Sequence, residues 1–334
     1  MAQVKVRLPD GSERQYEAGV TYLDVAKSIG AGLAKAALAV KANGKLMDLA
    51  LPVHCDTDLE IITSKSADGL EILRHSTAHI LAMAVQKLWP TTQVTIGPVV
   101  DHGFYYDFKF PDEVKVNDKD LEAIAAEMKK IVKADLAVSR QVVSRDDAVR
   151  RFEALGEKFK VELISAIPAT DEVSLYAMEH WFDLCRGPHV PSTAKVGAFK
   201  LTTVAGSYWR GDERNAQLTR IYGTAWATQK DLDDHLYRIE EAKKRDHRIL
   251  GKQLGLFSFH KEAPANAFFH PYGATIYNKL MPLYGAATSN LALPRSTRRW
   301  LWTSSCGARA GTTTTTAKIC TLPRLTTRSQ QSSR

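Results

Sequence analysis

Apolar and polar residues alternate at the beginning of the chain, as they do in strands that bury one face. Residues 4–8 read Val-Lys-Val-Arg-Leu, the turn residues Pro9-Asp10-Gly11 follow, and residues 12–16 can return as the partner strand. The pattern predicts an antiparallel hairpin at the N-terminus.

A helix and a further strand complete this first segment. Thr21 predicts the cap of a helix over 22–29, Asn43-Gly44 predicts a second tight turn, and residues 59–62 predict another strand. The order strand, strand, helix, strand within residues 1–63 indicates a β-grasp, ubiquitin-like module. Modules of this kind bind ligands more often than they catalyse reactions.

Helical and strand patterns then mix over residues 64–227, which predicts an α+β domain. A helix over 75–88 should stop before Pro90, and a strand is predicted at 159–164. A second helix has an apolar stripe with helical spacing, formed by Leu121, Ile124, Met128 and Ile131.

The sequence changes character twice after this domain. Residues 228–253 predict one long polar helix that links domains, and its basic cluster could contact a phosphate backbone; the cluster is Lys243, Lys244 and Arg245. Residues 254–281 have the apolar content of folded protein. Residues 282–334 are rich in Ser and Thr and show no helical or strand period, so we expect a disordered tail.

The net charge of +8 is confined to that tail. Residues 283–334 hold eight basic residues and no acidic one, which accounts for the whole excess of 45 basic over 37 acidic residues. The body of the chain is therefore neutral, and any affinity for RNA must come from local patches. No run of roughly 18 apolar residues suggests a membrane span, and the four cysteines lack CxxC spacing, so we expect a cytoplasmic protein with reduced thiols.

Two pairs of possible ligands or acid-base groups stand out within residues 64–227. His75 and His79 are four residues apart on a predicted helix, and Cys185 and His189 repeat that spacing about 100 residues later. Three imidazoles and a thiolate could hold a tetrahedral zinc ion. Without metal, the same histidines could position and deprotonate a water molecule that attacks an ester.

Lys160 is the lysine best placed in the sequence to assist such a reaction, because a partly buried lysine loses proton affinity. A covalent Cys–His mechanism is a third alternative. Aromatic and polar residues in neighbouring segments could bind the substrate or stack on a terminal RNA base; these candidates are Tyr105, Tyr106, Asp183, Tyr208 and Arg210.

The chain resembles threonyl-tRNA synthetases, which are class II aminoacyl-tRNA synthetases, from residue 1 to about residue 281. The similarity lies in RHSTAH at 74–79, GFYYDF at 103–108, CRGPHVP at 185–191, YWRGD at 208–212 and RIYGTAWA at 220–227. It implies a TGS module at 1–63, an editing domain at 64–227, a linker helix at 228–253 and the start of a catalytic domain at 254–281. It also implies that His75, His79, Lys160, Cys185 and His189 form a metal-free editing site.

The resemblance further implies a function and its partners. The family joins threonine to tRNA(Thr) with ATP and Mg²⁺, uses a zinc ion in its catalytic core, removes serine from misacylated tRNA(Thr), and forms homodimers. Residues 282–334 do not resemble the family. If their codons are read one nucleotide out of register, however, they can encode family-like sequence. We interpret them as an out-of-frame tail, with the zinc ligands and dimer interface beyond the frameshift and no cofactor bound by this chain.

Three functions therefore remain to be compared. The chain could be the editing half of a threonine–tRNA ligase, a free-standing deacylase acting on misacylated tRNA, or an RNA-binding adaptor that uses its N-terminal module. The adaptor would leave the His, Cys and Lys residues without a role.

Overall fold

The computed structural model describes residues 2–289. The chain divides into two compact units, Met1–Leu236 and Tyr237–Arg334. The predicted tail lies outside the described residues from residue 290 onward.

The N-terminal segment forms the predicted β-grasp module. Its elements are β1 (Gln3–Arg7), β2 (Glu13–Glu17), α1 (Tyr22–Ile29), α2 (Ala31–Ala36), β3 (Ala37–Ala42), β4 (Lys45–Met47) and β5 (Thr57–Thr63). The sheet order is β2-β1-β5-β3-β4, with β1 and β5 parallel and the other pairs antiparallel. Thr21 caps α1 by accepting a hydrogen bond from the Asp24 N–H at 3.1 Å, as predicted.

Twelve further α-helices and β-strands follow in the first unit up to residue 226. They are α3 (Ala67–Leu88), β6 (Gln93–Val94), β7 (Val99–Val100), β8 (Gly103–Lys109), α4 (Leu121–Lys133), β9 (Val138–Val143), α5 (Arg145–Ala154), α6 (Lys158–Ala166), β10 (Val173–Met178), β11 (Trp181–Leu184), β12 (Ala198–Tyr208) and β13 (Gln217–Trp226). One sheet has the order β12-β13-β8-β6, with β7 also paired to β8, and another has the order β11-β10-β9. The α+β architecture predicted for this region is present.

Helix α3 lies at the centre of the main hydrophobic core. It begins at Ala67, about two turns before the predicted start at residue 75, because the Ser66 side chain caps it through the Gly69 N–H. Its apolar residues pack with the predicted stripe of α4, whose four members are all buried. Leu38, Ala39 and Ile62 of the β-grasp module belong to the same core cluster. The module and the following domain are therefore joined by shared apolar packing, not only by the chain.

The predicted strand over 159–164 is wrong. These residues belong to helix α6, which buries Lys160 and Ile164 on one face, four residues apart. The run Phe-Lys-Val-Glu-Leu satisfies both a two-residue and a helical period, and Lys, Glu and Leu favour the helix.

Two expectations for residues 228–289 also need correction. The predicted single linker helix is divided into α7 (Gln229–Lys244) and α8 (His247–Gln253), because Asp246 takes a non-helical conformation and caps α8 through the Arg248 N–H. Strands β14 (Phe257–Ser258) and β15 (Phe268–Phe269) pair, and α9 (Pro271–Ser289) continues past residue 282, where the tail was expected to begin. None of the helices within residues 2–289 has the length and apolarity needed to span a bilayer.

Candidate active site

Helix α3 presents the first pair of predicted site residues. His75 and His79 lie on one face of the helix, with ring centroids 5.2 Å apart. The segment around them is buried, and His79 itself is 5% exposed, whereas His75 is half-buried. His75 is therefore the histidine of this pair that solvent can reach.

The loop after β11 supplies the second pair. Cys185 Sγ lies 3.2 Å from His75 Nε2 and 3.2 Å from His189 Nε2, and it accepts a hydrogen bond from the Gly187 N–H at 3.3 Å. The His189 ring centroid lies 4.4 Å from that of His75 and 4.5 Å from that of His79. The predicted convergence of the two pairs is present in the structure, and their catalytic role stays a prediction.

Ser76, which was not singled out from the sequence, holds His189 in place. Its Oγ accepts a hydrogen bond from the Val190 N–H at 3.1 Å and lies 3.0 Å from His189 Nδ1. The hydroxyl therefore fixes both the main chain and the ring at this position. The sequence offered no signal for this role, because adjacent helix positions project into different surroundings.

A buried ion pair lies behind the histidines. Lys160 Nζ forms an ion pair with Asp183 Oδ1 and donates to Tyr106 Oη at 3.1 Å, and Tyr106 Oη donates to Asp183 Oδ2 at 2.7 Å. The Leu184 N–H also donates to Asp183 Oδ1, at 2.7 Å. His79 Nδ1 lies 3.0 Å from Asp183 Oδ2, but the geometry does not make a hydrogen bond. The two groups are close enough for electrostatic attraction.

Comparison with known proteins matches two segments of the chain. The TGS domain family matches residues 4–63, and the family described as the threonyl and alanyl tRNA synthetase second additional domain matches residues 173–222, a stretch that contains Asp183, Cys185 and His189. The threonine–tRNA ligase of Burkholderia mallei (strain SAVP1) is 53% identical over 307 residues, which is 90% of this chain and 48% of the ligase.

Two further relatives carry the same description. The threonine–tRNA ligase of Marinobacter nauticus is 51% identical over 305 residues, covering 90% of this chain and 47% of its own length, and that of Paraburkholderia xenovorans is 56% identical over 277 residues, covering 83% and 43%. The chain matches the N-terminal and editing part of threonyl-tRNA synthetases. It spans about half the length of the curated relatives it matches.

Neighbouring side chains of opposite charge shift one another's pKa values within the site. Burial lowers the pKa of His79, but contacts with Asp183 and Cys185 outweigh it and raise the pKa to about 9. Burial raises the pKa of the Asp183 carboxyl, yet Lys160 and His79 hold it well below its usual range. Burial also raises the pKa of the Cys185 thiol, but the surrounding histidines have the larger effect and hold this pKa well below its usual value. Near neutral pH His79 is therefore a cation and Asp183 an anion.

His189 differs from His79 in its charge. Burial and the neighbouring charge of His79 lower the pKa of His189 to about 4, against the opposing effect of Cys185. This imidazole is therefore neutral at physiological pH, and one of its nitrogens is a hydrogen-bond acceptor.

The structure separates the predicted substrate-binding residues. Tyr106 and Asp183 belong to the site, whereas Tyr105, the neighbour of Tyr106 on β8, points to the opposite sheet face and packs under the Arg220 guanidinium at 3.8 Å. Arg210 instead pairs with Glu162 at 2.8 Å, and Tyr208 is 44% exposed. The basic cluster is exposed, and both Lys244 and Arg245 pair with Glu241.

The four converging residues also form a donor set suited to a metal. The ligand atoms of His75, His79, Cys185 and His189 lie within 4.8 Å of one another, and three imidazole nitrogens with one thiolate are ligands that zinc accepts. The geometry therefore permits both the zinc-bound and the metal-free chemistry that the sequence suggested.

Glu157 carries a buried carboxyl near the site. It accepts from Gln86 Nε2 at 2.5 Å and from the Val94 N–H at 3.0 Å, and Gln86 Oε1 in turn accepts from Trp181 Nε1 at 2.6 Å. The Trp181 ring packs edge-on against His79, with centroids 6.1 Å apart. Burial raises the pKa of Glu157 to about 7, although both hydrogen bonds oppose the change.

This raised pKa predicts a pH-dependent effect of Glu157→Gln. The unfolded carboxyl has a pKa of about 4.3, so the stability that its protonated form contributes is complete below that pH and is lost as pH rises through about 7. Glutamine does not ionise, so the variant does not lose this contribution to stability as the pH rises. The unfolding free energy of the variant relative to wild type should therefore rise by up to about 3 kcal/mol between pH 4.5 and pH 8.

Urea unfolding across that pH range measures the difference. Glu153→Gln, at an exposed position on α5, is the matched control and should show a pH-independent difference. A constant offset for Glu157→Gln as well would contradict the prediction.

Proposed function

We propose that this site hydrolyses the ester bond of seryl-tRNA(Thr). The observation that supports this most directly is the convergence of three imidazoles on Cys185, next to the buried Lys160–Asp183 pair, within the editing part of a synthetase family. The proposal extends the general function of the family to a named substrate and reaction.

The substrate follows from the limits of amino-acid selection. Serine lacks one methyl group of threonine, and a methyl group provides roughly 1–3 kcal/mol of discrimination, which is too little for accurate translation. A separate hydrolytic site that clears the serine error corrects this shortfall.

His75 is the proposed general base. It is half-buried, so a water molecule can approach its ring, and its contact with Cys185 fixes the orientation of the imidazole. Water attacks the ester carbonyl carbon while its proton passes to the imidazole. The carbon–oxygen bond to the ribose then breaks, the proton moves to the ribose oxygen, and serine and free tRNA leave.

The cationic groups have a different role in this proposal. His79 and Lys160 place positive charge in a buried region near the reacting carbonyl, where it can stabilise the developing oxyanion at little reorganisation cost. Asp183 and Tyr106 hold the Lys160 ammonium in a fixed position.

We propose that the reaction needs no metal ion. If zinc were bound, His75, His79, Cys185 and His189 would hold it and it would supply a Lewis acid to the ester carbonyl. In that case His75 would be a ligand and unable to accept the proton. Activity after removal of metal ions therefore distinguishes the two forms of the proposal.

We further propose that the 334 residues carry editing and not ligation. The relatives are threonine–tRNA ligases, and this chain matches about half of their length. ATP, Mg²⁺, threonine and the zinc ion of the catalytic core would then belong to the unmatched half of the family enzyme, together with the homodimer interface. tRNA(Thr) is the partner proposed for the present chain, and a free-standing deacylase is the alternative.

The purified chain should hydrolyse seryl-tRNA(Thr) and fail to form threonyl-tRNA. Deacylation of labelled seryl-tRNA(Thr), with and without EDTA, measures the first activity, and an aminoacylation assay with ATP and threonine measures the second. We expect His75→Ala to lower hydrolysis by about 10²- to 10⁴-fold because the general base is lost. We expect EDTA to have no effect.

His180→Ala, a surface histidine beside the cleft formed by Gln86 and Trp181, is a control that should retain full activity. Threonylation by the chain, or hydrolysis unchanged in His75→Ala, would overturn the assignment. Loss of hydrolysis with EDTA and its recovery with zinc would replace the metal-free reaction by the metal-dependent one.

A further inference from the structure

A carboxylate from the β-grasp module reaches the predicted catalytic loop. Asp48 follows β4, and its Oδ1 accepts a hydrogen bond from the His189 N–H at 3.0 Å. Its Oδ2 accepts from Tyr176 Oη at 2.6 Å. The two donors are separated from Asp48 by 141 and 128 positions in the sequence, so the contact exists only in the folded chain.

Tyr176 connects Asp48 to the His189 imidazole, because it contacts both residues. Its ring lies edge-on to His189, with centroids 4.4 Å apart, and is 3% exposed. A Cβ atom at Gly187 would fall 1.8 Å from Tyr176 Oη, so the phenol also packs directly on the main chain between Cys185 and His189. Asp48 thus restrains His189 twice, through its backbone N–H and through the ring that packs on it.

The module that carries Asp48 is itself anchored. Leu38, Ala39 and Ile62 belong to the core formed around α3, the helix of His75 and His79. Lys41 pairs with Asp68 in the first turn of that helix at 2.9 Å. The carboxylate is therefore held by the same packing that holds the histidines, and small movements of the module relative to them are resisted.

We propose that Asp48 is a positioning residue of the hydrolytic site and that the N-terminal module thereby completes this site. The inference rests on the proposed function, since it concerns the residues assigned there. It gives the module a role in hydrolysis in addition to any binding of RNA.

Three variants separate position from charge. Asp48→Ala removes both acceptors, Asp48→Asn keeps an oxygen for the His189 N–H and offers an N–H to Tyr176 Oη, and Tyr176→Phe keeps the ring but removes the phenol donor. Asp58→Ala is the matched control, because Asp58 belongs to the same module, pairs with Arg7 at the surface, and has a side chain that is 61% exposed.

Single-turnover hydrolysis of seryl-tRNA(Thr) by the full chain is the first measurement. We expect Asp48→Ala to lower the maximal rate about 10- to 100-fold with the half-saturating enzyme concentration unchanged, because a displaced imidazole affects orientation more than binding. Asp48→Asn should recover most of the rate. Combining Asp48→Ala with Tyr176→Phe should add little, since both act through one contact. Wild-type rates in Asp48→Ala, or equal loss in Asp58→Ala, would overturn the proposal.

A second measurement does not depend on activity. The imidazole ¹H–¹⁵N signals of His189 should shift in Asp48→Ala and in Tyr176→Phe, and remain unchanged in Asp58→Ala. If wild type fails to hydrolyse the ester but these shifts occur, the proposed function fails while the positional coupling stands. Unchanged His189 signals in a folded Asp48→Ala protein would contradict the coupling itself.

Discussion

Lys160→Met should lower the free energy of unfolding by about 3–5 kcal/mol, because it leaves the buried Asp183 carboxylate with only His79 as a cationic neighbour. The two side chains are 3% and 1% exposed, so water cannot replace the lost ammonium. Hydrolysis of seryl-tRNA(Thr) should fall at least about 100-fold in the same variant. Denaturant unfolding and single-turnover deacylation measure the two effects.

The double variant Lys160→Met/Asp183→Asn distinguishes a structural loss from a catalytic one. Removing both charges should restore most of the stability, since a buried pair contributes little beyond a neutral pair of similar volume. It should not restore hydrolysis, because the cation is still absent. Recovery of activity in the double variant would show that Lys160 matters only for folding.

A surface pair provides the control for this experiment. Lys27 and Asp24 lie on α1 with side chains 59% and 50% exposed, and Lys27→Met should cost less than about 1 kcal/mol. A similar loss at both positions would contradict the argument from burial.

The spacing of the histidines and cysteine predicted their convergence, but not what surrounds them. Pairs four residues apart project from one side of a helix or a tight loop, so His75 and His79 had to lie together. Nothing in the spacing could show that Asp48 approaches His189, because that contact depends on how the β-grasp module packs on α3. Ser76 was missed because its role depends on the position of Val190 in the folded loop.

The two adjacent tyrosines show a different limit. Alternation along a strand means that only one of Tyr105 and Tyr106 can face the site. The alternation does not say which, and the choice follows from the side of the sheet on which α3 packs. Lys160 lies beside the converging histidines, as expected, but it was assigned to the wrong element, since a short run of mixed residues fits a strand and a helix equally well.

A single methyl group at Gly187 is expected to disrupt the loop between Cys185 and His189. This glycine has φ +69, and an added Cβ would lie 1.8 Å from Tyr176 Oη and 2.3 Å from the ring carbon that bears it. The Tyr176 ring is buried against His189 and its hydroxyl is bonded to Asp48, so it cannot move away without displacing both. Gly187→Ala should therefore lower hydrolysis of seryl-tRNA(Thr) at least about 100-fold.

Gly211→Ala separates this clash from the cost of the backbone conformation. Gly211 has φ +72, almost the same as Gly187, but nothing lies within 4 Å of its added Cβ. It should cost only about 1 kcal/mol of stability and leave hydrolysis near wild type. Gly187→Ala should lower the free energy of unfolding more than Gly211→Ala does. In a Tyr176→Ala background the loss caused by Gly187→Ala should be smaller, because the truncated side chain makes room for the methyl group. Equal effects of the two glycine substitutions on stability and hydrolysis would mean that the contact between Gly187 and Tyr176 does not order the loop.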